Sequence, residues 1–221
     1  IELDVQQSKD GKLFVMHDHS FYRTTGLRDF SWNLTFDEIE QLDAGSFFSD
    51  TFAGEKIPSL EEVIELAKEN HIRLNIEIKP SVNDTDIEKA VVDLIREMDF
   101  ADSCVVSSQM YSCLEKVKEY DPEISTLYVM SLAYGNVNRL KAADSFSMEA
   151  GNVSPSMVSR IHNAGKQIFV WTVNNRKIIN RMLDLNVDNI ITDRVALVQE
   201  CIYDGKTNDV ISQYVKFLRE L

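Results

Sequence analysis

The sequence contains few cysteines, prolines and glycines: three, four and eight, respectively, among 221 residues. The number of cysteines is odd, and none of them belongs to a Cys-x-x-Cys pair; they are Cys104, Cys113 and Cys201. This pattern argues against a disulfide scaffold or a zinc knuckle. No stretch is rich in proline, glycine or serine. A chain of this size without a linker is expected to form one domain over residues 1–221.

Positive charge is also scarce, since 23 basic residues face 36 acidic ones and leave a net charge of −13. The sequence shows no basic face of the kind that binds nucleic acid, and an anionic membrane surface would repel it. It also lacks an apolar run of about 18 residues, the length that a membrane-spanning helix needs. A phosphate ester could bind only where positive charge is added locally, and a bound cation is the simplest source of that charge.

Apolar periodicity alternates between two and about 3.6 residues, which predicts strands that alternate with helices. We count seven core strands, the first at 1–6 and the last at 188–192, and this order is typical of a parallel sheet with helical crossovers. The glycine-rich first turn of a doubly wound sheet is absent, and a closed barrel needs eight strands. We therefore predict an α/β fold of the TIM-barrel type that lacks its first strand and helix.

Two carboxylates, Glu2 and Asp4, stand two residues apart on the first predicted strand. A period of two places both side chains on one face, while Leu3 and Val5 take the other. Paired carboxylates on a buried strand repel each other and lose hydration, and a cation relieves both costs. An exposed edge strand with its polar side chains facing outward would explain the same pattern.

Glu77 and Lys79 repeat this spacing at the end of a later strand, which Pro80 terminates. The carboxyl ends of barrel strands carry the active site in α/β barrels. Three carboxylates without a thiolate or paired histidines favour a hard cation held by oxygen, Mg²⁺ or Ca²⁺. Lys79 would be a second positive contact for a phosphodiester, although a simple ion pair with Glu77 would also explain both residues.

His17 follows the short second strand and precedes Asp18. Histidine moves protons near neutral pH, as ester hydrolysis requires, and its place one hairpin after Glu2 and Asp4 strengthens a catalytic role. Trp171 lies near the end of a late strand. It is either a core residue or a surface on which the organic part of a substrate stacks.

Together these motifs resemble those of the glycerophosphodiester phosphodiesterase family, over nearly the whole chain and in the same order. The matching stretches are Ile1–Gln6, Lys9–Gly11, Val15–Asp18, Arg23–Gly26, Glu77–Pro80, Trp171–Asn174 and Ile191–Asp193.

The resemblance implies an eight-stranded barrel with a small subdomain inserted after the second strand, which residues 18–57 fit. Residues 207–221 would form a helix beyond the usual end of the barrel. It also implies metal-dependent hydrolysis of glycerophosphodiesters to glycerol 3-phosphate and an alcohol. By this resemblance the candidate residues are Glu2, Asp4 and Glu77 as metal ligands, His17 as one of two acid/base histidines, Lys79 as a phosphate contact and Glu149 as a residue that faces the site. Trp171 stays the candidate for stacking on the substrate that its position suggests.

One departure concerns the start of the family pattern. The family's His-Arg-Gly motif on the first strand, and the Glu-Asn-Thr that follows it, are not in this sequence. We expect that unit to precede Ile1 and expect little hydrolysis from the 221 residues alone.

Ser147-Met148-Glu149 and the Trp171 motif resemble members with an N-terminal membrane domain, which predicts membrane attachment of a longer protein. A protein without such a domain is expected in the cytoplasm, and the sequence leaves the oligomeric state open.

Two other functions stay open at this point. The chain could be a non-catalytic barrel module that binds a glycerophosphodiester or a partner. It could also be a related barrel phosphodiesterase that acts on phospholipids. The Glu77–Lys79 motif favours the water-soluble substrates by family analogy.

Overall fold

The structure, a computed structural model, describes residues 1–130 and 137–205. Its strands are β1 (Glu2–Gln7), β2 (Leu13–Val15), β3 (Leu74–Ile78), β4 (Cys104–Ser108), β5 (Thr126–Met130), β6 (Ser145–Glu149), β7 (Gln167–Trp171) and β8 (Asn189–Ile190). Its α-helices are α1 (Tyr22–Thr25), α2 (Phe36–Ile39), α3 (Leu60–Glu69), α4 (Ile87–Glu97), α5 (Tyr111–Tyr120), α6 (Pro155–Asn163), α7 (Arg176–Asp184) and α8 (195–205). The predicted alternation of strands and helices is confirmed.

The chain divides into two compact units. The first comprises residues 1–129 and 142–144, and the second comprises the described residues of 130–141 and 145–221. In the first unit the strands are hydrogen-bonded in the order β2-β1-β3-β4-β5. Only β2 is antiparallel to its neighbour. In the second unit β6, β7 and β8 are parallel and adjacent in that order.

The alternating pattern of the strands separates a helix-facing side from a polar side in the first unit. Leu3 and Val5 of β1 and Ile76 of β3 pack into a core with the apolar faces of α3, α4 and α5. The intervening residues of β1 and β3 point the other way, because successive side chains of a strand alternate. The apolar residues thus fix which face carries Glu2, Asp4 and Glu77.

Local hydrogen bonds and turn geometry explain the start of α3 and the hairpin between β1 and β2. Ser59 begins α3 with a capping box, in which its hydroxyl accepts from the Glu62 amide and the Glu62 carboxylate accepts from the Ser59 amide. Asp10-Gly11 is a strong hairpin signal in the sequence, and it forms the turn between β1 and β2, with Gly11 at a φ of 85° that favours glycine. Residues 18–57 contain the short helices α1 and α2 and a small core that Phe21, Ile39 and Ile57 form with Phe14 and Met16.

Three predicted boundaries were wrong. The apolar pattern predicts a helix over residues 84–98. Helix α4 instead begins at Ile87, because Asp86 adopts a left-handed φ of 51° and Asp84 accepts a hydrogen bond from the Ser81 amide. The pattern also predicts a short helix near residues 137–141, where the structure has a single 3-10 turn, Val137–Arg139. The last strand, predicted at 188–192, has only two residues.

Two predictions lie beyond what the structure tests. The extra helix at 207–221 lies outside the described residues. Among the described residues, no helix is both long and apolar enough to cross a membrane. Membrane attachment through an upstream domain stays a prediction.

Candidate active site

The carboxylates of Glu2, Asp4 and Glu77 meet on the polar face of β1 and β3. One oxygen from each lies within 4.8 Å of the other two. Asp4 stands directly opposite Glu77 in the parallel register, and Glu2 stands opposite Asn75. This proximity follows from the period-two spacing on each strand and from the register between them.

Burial and mutual repulsion act on this cluster. Burial of the carboxyl group, followed by the charges of Asp4 and Glu77, raises the pKa of Glu2 to about 7. Lys79 and His17 act in the opposite direction, so His17 lies close enough to influence Glu2. The raised pKa of Glu2 shows that the positive groups near the cluster do not fully offset burial and the neighbouring carboxylates.

Lys79 supplies part of the positive charge near the cluster. Its Nζ lies 2.5 Å from Glu77 Oε1 and 3.1 Å from Asp4 Oδ1. Burial alone would lower the pKa of Lys79, but the two carboxylates outweigh it and the pKa is raised. The ion pair that the sequence suggested is therefore present, and it belongs to the same cluster as the three carboxylates.

The polar face continues onto β4 with residues that sequence reasoning missed. Ser107 is buried directly opposite Glu77 in the β3–β4 register, and Gln109, just after β4, donates from Nε2 to Glu77 Oε1 at 3.3 Å. The buried oxygens Asn75 Oδ1 and Ser107 Oγ have no hydrogen-bond partner in the described part of the chain. The position of Gln109 just after the carboxyl end of a parallel strand was the signal that could have identified it.

His17 lies in an exposed chain of charged groups beside the cluster. Its Nδ1 is 2.5 Å from Asp18 Oδ1, and the other oxygen of Asp18 is 2.5 Å from Arg23 Nε. The hydrogen bond from Arg23, together with His17, lowers the pKa of Asp18 to about 2, although burial opposes it. Asp18 is therefore ionised at neutral pH and can hold the imidazole of His17 by its Nδ1.

His19, two residues after His17, could be taken from the sequence as an exposed neighbour, but the structure places it differently. It is half-buried, its Nδ1 lies 2.9 Å from Gln6 Oε1, and its ring tilts against Trp32 at a centroid distance of 5.6 Å. Gln6 is buried on the face of β1 that carries Asp4. The hydrogen bond to this buried amide explains why the imidazole turns away from solvent.

Glu149 and Trp171 lie in the second unit, opposite each other in the β6–β7 register at the carboxyl ends of their strands. Glu149 is exposed and accepts from Asn152 Nδ2 at 3.2 Å. Trp171 is half-buried, and its Nε1 has no hydrogen-bond partner among the described residues. Their assignment as substrate contacts stays a prediction.

Comparisons with known sequences give a consistent result. The model of the glycerophosphoryl diester phosphodiesterase family matches residues 1–197. A glycerophosphodiester phosphodiesterase of Caldanaerobacter subterraneus is 38% identical over 198 residues, covering 87% of this chain and 81% of the relative. Another from Bacillus altitudinis is 33% identical over 200 residues, covering 87% of this chain and 82% of the relative.

Solved structures resemble the chain over a similar extent. A phosphodiesterase from Oleispira antarctica, in complex with the product sn-glycerol-3-phosphate, has a TM-score of 0.82 at 26% identity and covers 91% of this chain and 83% of its own. A glycerophosphodiester phosphodiesterase from Agrobacterium tumefaciens has a TM-score of 0.79 at 25% identity, with coverage of 90% and 85%. The likeness confirms the predicted fold class, an α/β fold of the TIM type.

Proposed function

The chain belongs to the glycerophosphoryl diester phosphodiesterase family, and we propose that it hydrolyses glycerophosphodiesters to glycerol 3-phosphate and an alcohol with a divalent cation. The observation that carries this proposal is that the carboxyl groups of Glu2, Asp4 and Glu77 meet on one face of the sheet. Lys79 forms ion pairs with two of them, Asp4 and Glu77. The names of the relatives and the product bound to the Oleispira antarctica structure support the substrate class.

The residues of the cluster fit a hard divalent cation. Three carboxyl groups lie beside one ammonium, so the cluster has more acidic groups than basic ones, and a divalent cation would supply the missing positive charge and favour the ionised form of Glu2. Both ions prefer carboxylate oxygens, carbonyl oxygens and water, and the unpaired oxygens of Asn75 and Ser107 lie on the neighbouring strands of the same face. When bound, the cation would supply positive charge for the phosphodiester and its developing negative charge.

The side chains around the cluster have separate roles in this proposal. His17 moves a proton at Nε2, because its Nδ1 is held by ionised Asp18 and Arg23 fixes Asp18 from the other side. Lys79 contacts a phosphate oxygen with an ammonium that its carboxylate neighbours keep protonated. Glu149 and Trp171 are proposed to face the alcohol part of the substrate, and residues 18–57 to act as an inserted subdomain that carries Asp18 and Arg23.

The test is hydrolysis of glycerophosphocholine by the protein expressed from its complete gene, with and without a chelator. Turnover that requires an added divalent cation is expected. Absence of turnover together with binding of glycerophosphocholine would favour the non-catalytic module. Hydrolysis of phospholipids in place of glycerophosphocholine would favour the phospholipid phosphodiesterase.

Two substitutions separate the roles of metal ligand and proton carrier. Replacing a residue that only hydrogen-bonds to a metal ligand typically weakens metal affinity by about 10–100-fold. Glu77→Gln changes a proposed ligand itself, so it should weaken metal affinity by no less than that and should lower turnover with it. His17→Ala should lower turnover by about 10²–10⁴-fold, the contribution of general acid/base catalysis, and should leave metal affinity largely unchanged.

The matched control for Glu77→Gln is Glu115→Gln, which changes an exposed carboxylate on α5. The matched control for His17→Ala is His71→Asn, which replaces an exposed histidine after α3. Asparagine suits the left-handed backbone of residue 71, whose φ is 55°. Both controls should keep wild-type turnover. If Glu77→Gln or His17→Ala behaves like its control, that residue loses its assigned role.

A further inference from the structure

Gln6 is a buried glutamine that connects β1 to the segment containing His17. It is 1% exposed and follows Asp4 on the same face of the strand. Its Nε2 donates to the carbonyl oxygens of Met16 at 2.7 Å and Asp18 at 2.8 Å, and its Oε1 lies 2.9 Å from Nδ1 of His19. The two carbonyls flank His17, so one side chain anchors the backbone on both sides of that residue.

These contacts determine the orientation of the amide and the tautomer of His19. Backbone carbonyls only accept hydrogen bonds, so the amide nitrogen of Gln6 must face Met16 and Asp18. The amide oxygen then faces His19 and can only accept, so Nδ1 of His19 must carry a hydrogen. Neutral His19 therefore has a protonated Nδ1 and a bare Nε2.

The surroundings of His19 favour this neutral form. Burial, followed by the positive charges of Lys79 and His17, lowers the pKa of His19, while Asp18 opposes the shift. On its far side the ring contacts Trp32, which stacks on Phe30 at a centroid distance of 4.9 Å. A ring enclosed in this way keeps the orientation that Gln6 imposes.

We propose that Gln6 is a positioning residue of the active site, which fixes the backbone on either side of His17 and the tautomer of His19. The kinetic part of this inference rests on the proposed function, because it assumes that His17 moves a proton during hydrolysis. Proton transfer requires the donor and acceptor atoms to lie within hydrogen-bond reach, so a small displacement of the histidine is costly.

The chain offers a matched control in the next residue. Gln7 is 4% exposed and also makes three hydrogen bonds, but it lies on the opposite face of β1. Its Nε2 donates to the carbonyls of Gly11 at 3.2 Å and Thr85 at 3.4 Å, and its Oε1 accepts from the Thr85 amide at 2.7 Å. Gln7 thus has the same chemistry and similar burial, and none of its side-chain hydrogen bonds within the described part of the chain goes to residues 16–19.

The first experiment compares Gln6→Met with Gln7→Met in the protein expressed from its complete gene. Both variants lose a buried amide of similar size, so urea unfolding should show a similar loss of stability. For Gln6→Met we expect kcat to fall by about 10–100-fold with little change in KM, the scale of a misplaced catalytic group. Gln7→Met should keep kcat close to that of the wild type. Equal kcat in the two variants would overturn the positioning role.

The second experiment reads the His19 tautomer by ¹⁵N NMR without substrate. The wild type and Gln7→Met should show the Nδ1–H form, and Gln6→Met should lose it. Gln6→Glu should retain this form, because a carboxylate still accepts from Nδ1, yet kcat should stay low because a carboxylate cannot donate to the two carbonyls.

An Nε2–H form of His19 in the wild type would overturn the inference. A wild-type protein with the Nδ1–H form but no turnover would overturn the proposed function while leaving the placement of His19 by Gln6 intact.

Discussion

Replacement of Lys79 by methionine tests the charge balance of the cluster without an activity assay. Lys79 is 17% exposed in its side chain and contacts the carboxylates of Glu77 and Asp4, which are 10% and 14% exposed. Methionine keeps much of the length of the side chain and removes its charge. The two carboxylates would then remain together in a site that shields them from water.

The expected loss of stability follows from the burial of these three side chains. Removing one partner of a buried ion pair typically costs about 3–5 kcal/mol, because the other charge is left uncompensated. Glu2 is exposed as a residue, although its carboxyl group is partly desolvated, so the site is open to water there, and water and proton uptake should reduce the loss to about 2–3 kcal/mol. A divalent cation should recover much of this loss, because it binds the folded state and supplies the missing charge.

The assay is urea unfolding of wild type and Lys79→Met, in chelator and in excess Mg²⁺ or Ca²⁺. The control is Lys89→Met, which removes an exposed lysine paired with Asp93 on α4 and should change stability by less than about 1 kcal/mol. We expect Lys79→Met to be the less stable variant in chelator and to gain more from the cation than the wild type does. A Lys79→Met protein as stable as Lys89→Met in chelator would refute the reasoning.

Three further predictions concern residues outside the metal cluster. Gly45→Ala should destabilise the protein by about 1–3 kcal/mol in urea unfolding, because a Cβ there would lie 1.8 Å from the backbone oxygen of Phe52; wild-type stability would contradict the close approach. Arg23→Gln should lower stability at pH 7 but have less effect as the pH falls below about 4. The reason is that the pKa of Asp18 is lower in the folded protein than in the unfolded chain. Its ion pair therefore stabilises the fold at pH values above the unfolded pKa, and this stabilisation is lost as the pH falls towards about 2. A difference in stability that does not change with pH would count against the Arg23–Asp18 pair. Cys104 should resist alkylation in the native protein, because burial raises the pKa of its thiol to about 12, and fast labelling without unfolding would contradict that burial.

Most of the fold could be predicted because periodicity reflects burial directly. The alternation of strands and helices follows the periodicity of the sequence. Thr35 and Ser59 are each followed three residues later by glutamate, a spacing that predicts a capping box, and they begin α2 and α3. The error at α4 has a local cause. Either Asp84 or Asp86 could precede the first turn of that helix. Asp84 accepts a hydrogen bond from the Ser81 amide, and Asp86, with a left-handed backbone, is the residue before the helix. Such choices depend on hydrogen bonds that residue types alone do not determine.

The cluster of carboxylates was accessible to sequence reasoning for a related reason. Period two places Glu2 with Asp4 and relates Glu77 to Lys79, and both pairs stand on strands that neighbour each other in a parallel sheet. The roles of Gln6 and Arg23 were not accessible, because each depends on contacts with a loop. The position of Gln109 after β4 could have placed it near the site, but its partner could not be predicted. Gln109, for example, donates to a carboxylate 32 residues away.

A single strand explains why fold and site cannot vary independently here. On β1, Leu3 and Val5 face the helices, while Glu2, Asp4 and Gln6 alternate with them on the polar face. A slip of β1 by one residue would move the apolar side chains out of the core and bury the carboxylates against α3 and α4. The burial of two apolar residues therefore enforces the register that brings Asp4 opposite Glu77, and the geometry of the candidate metal site is stabilised by packing on the other side of the sheet.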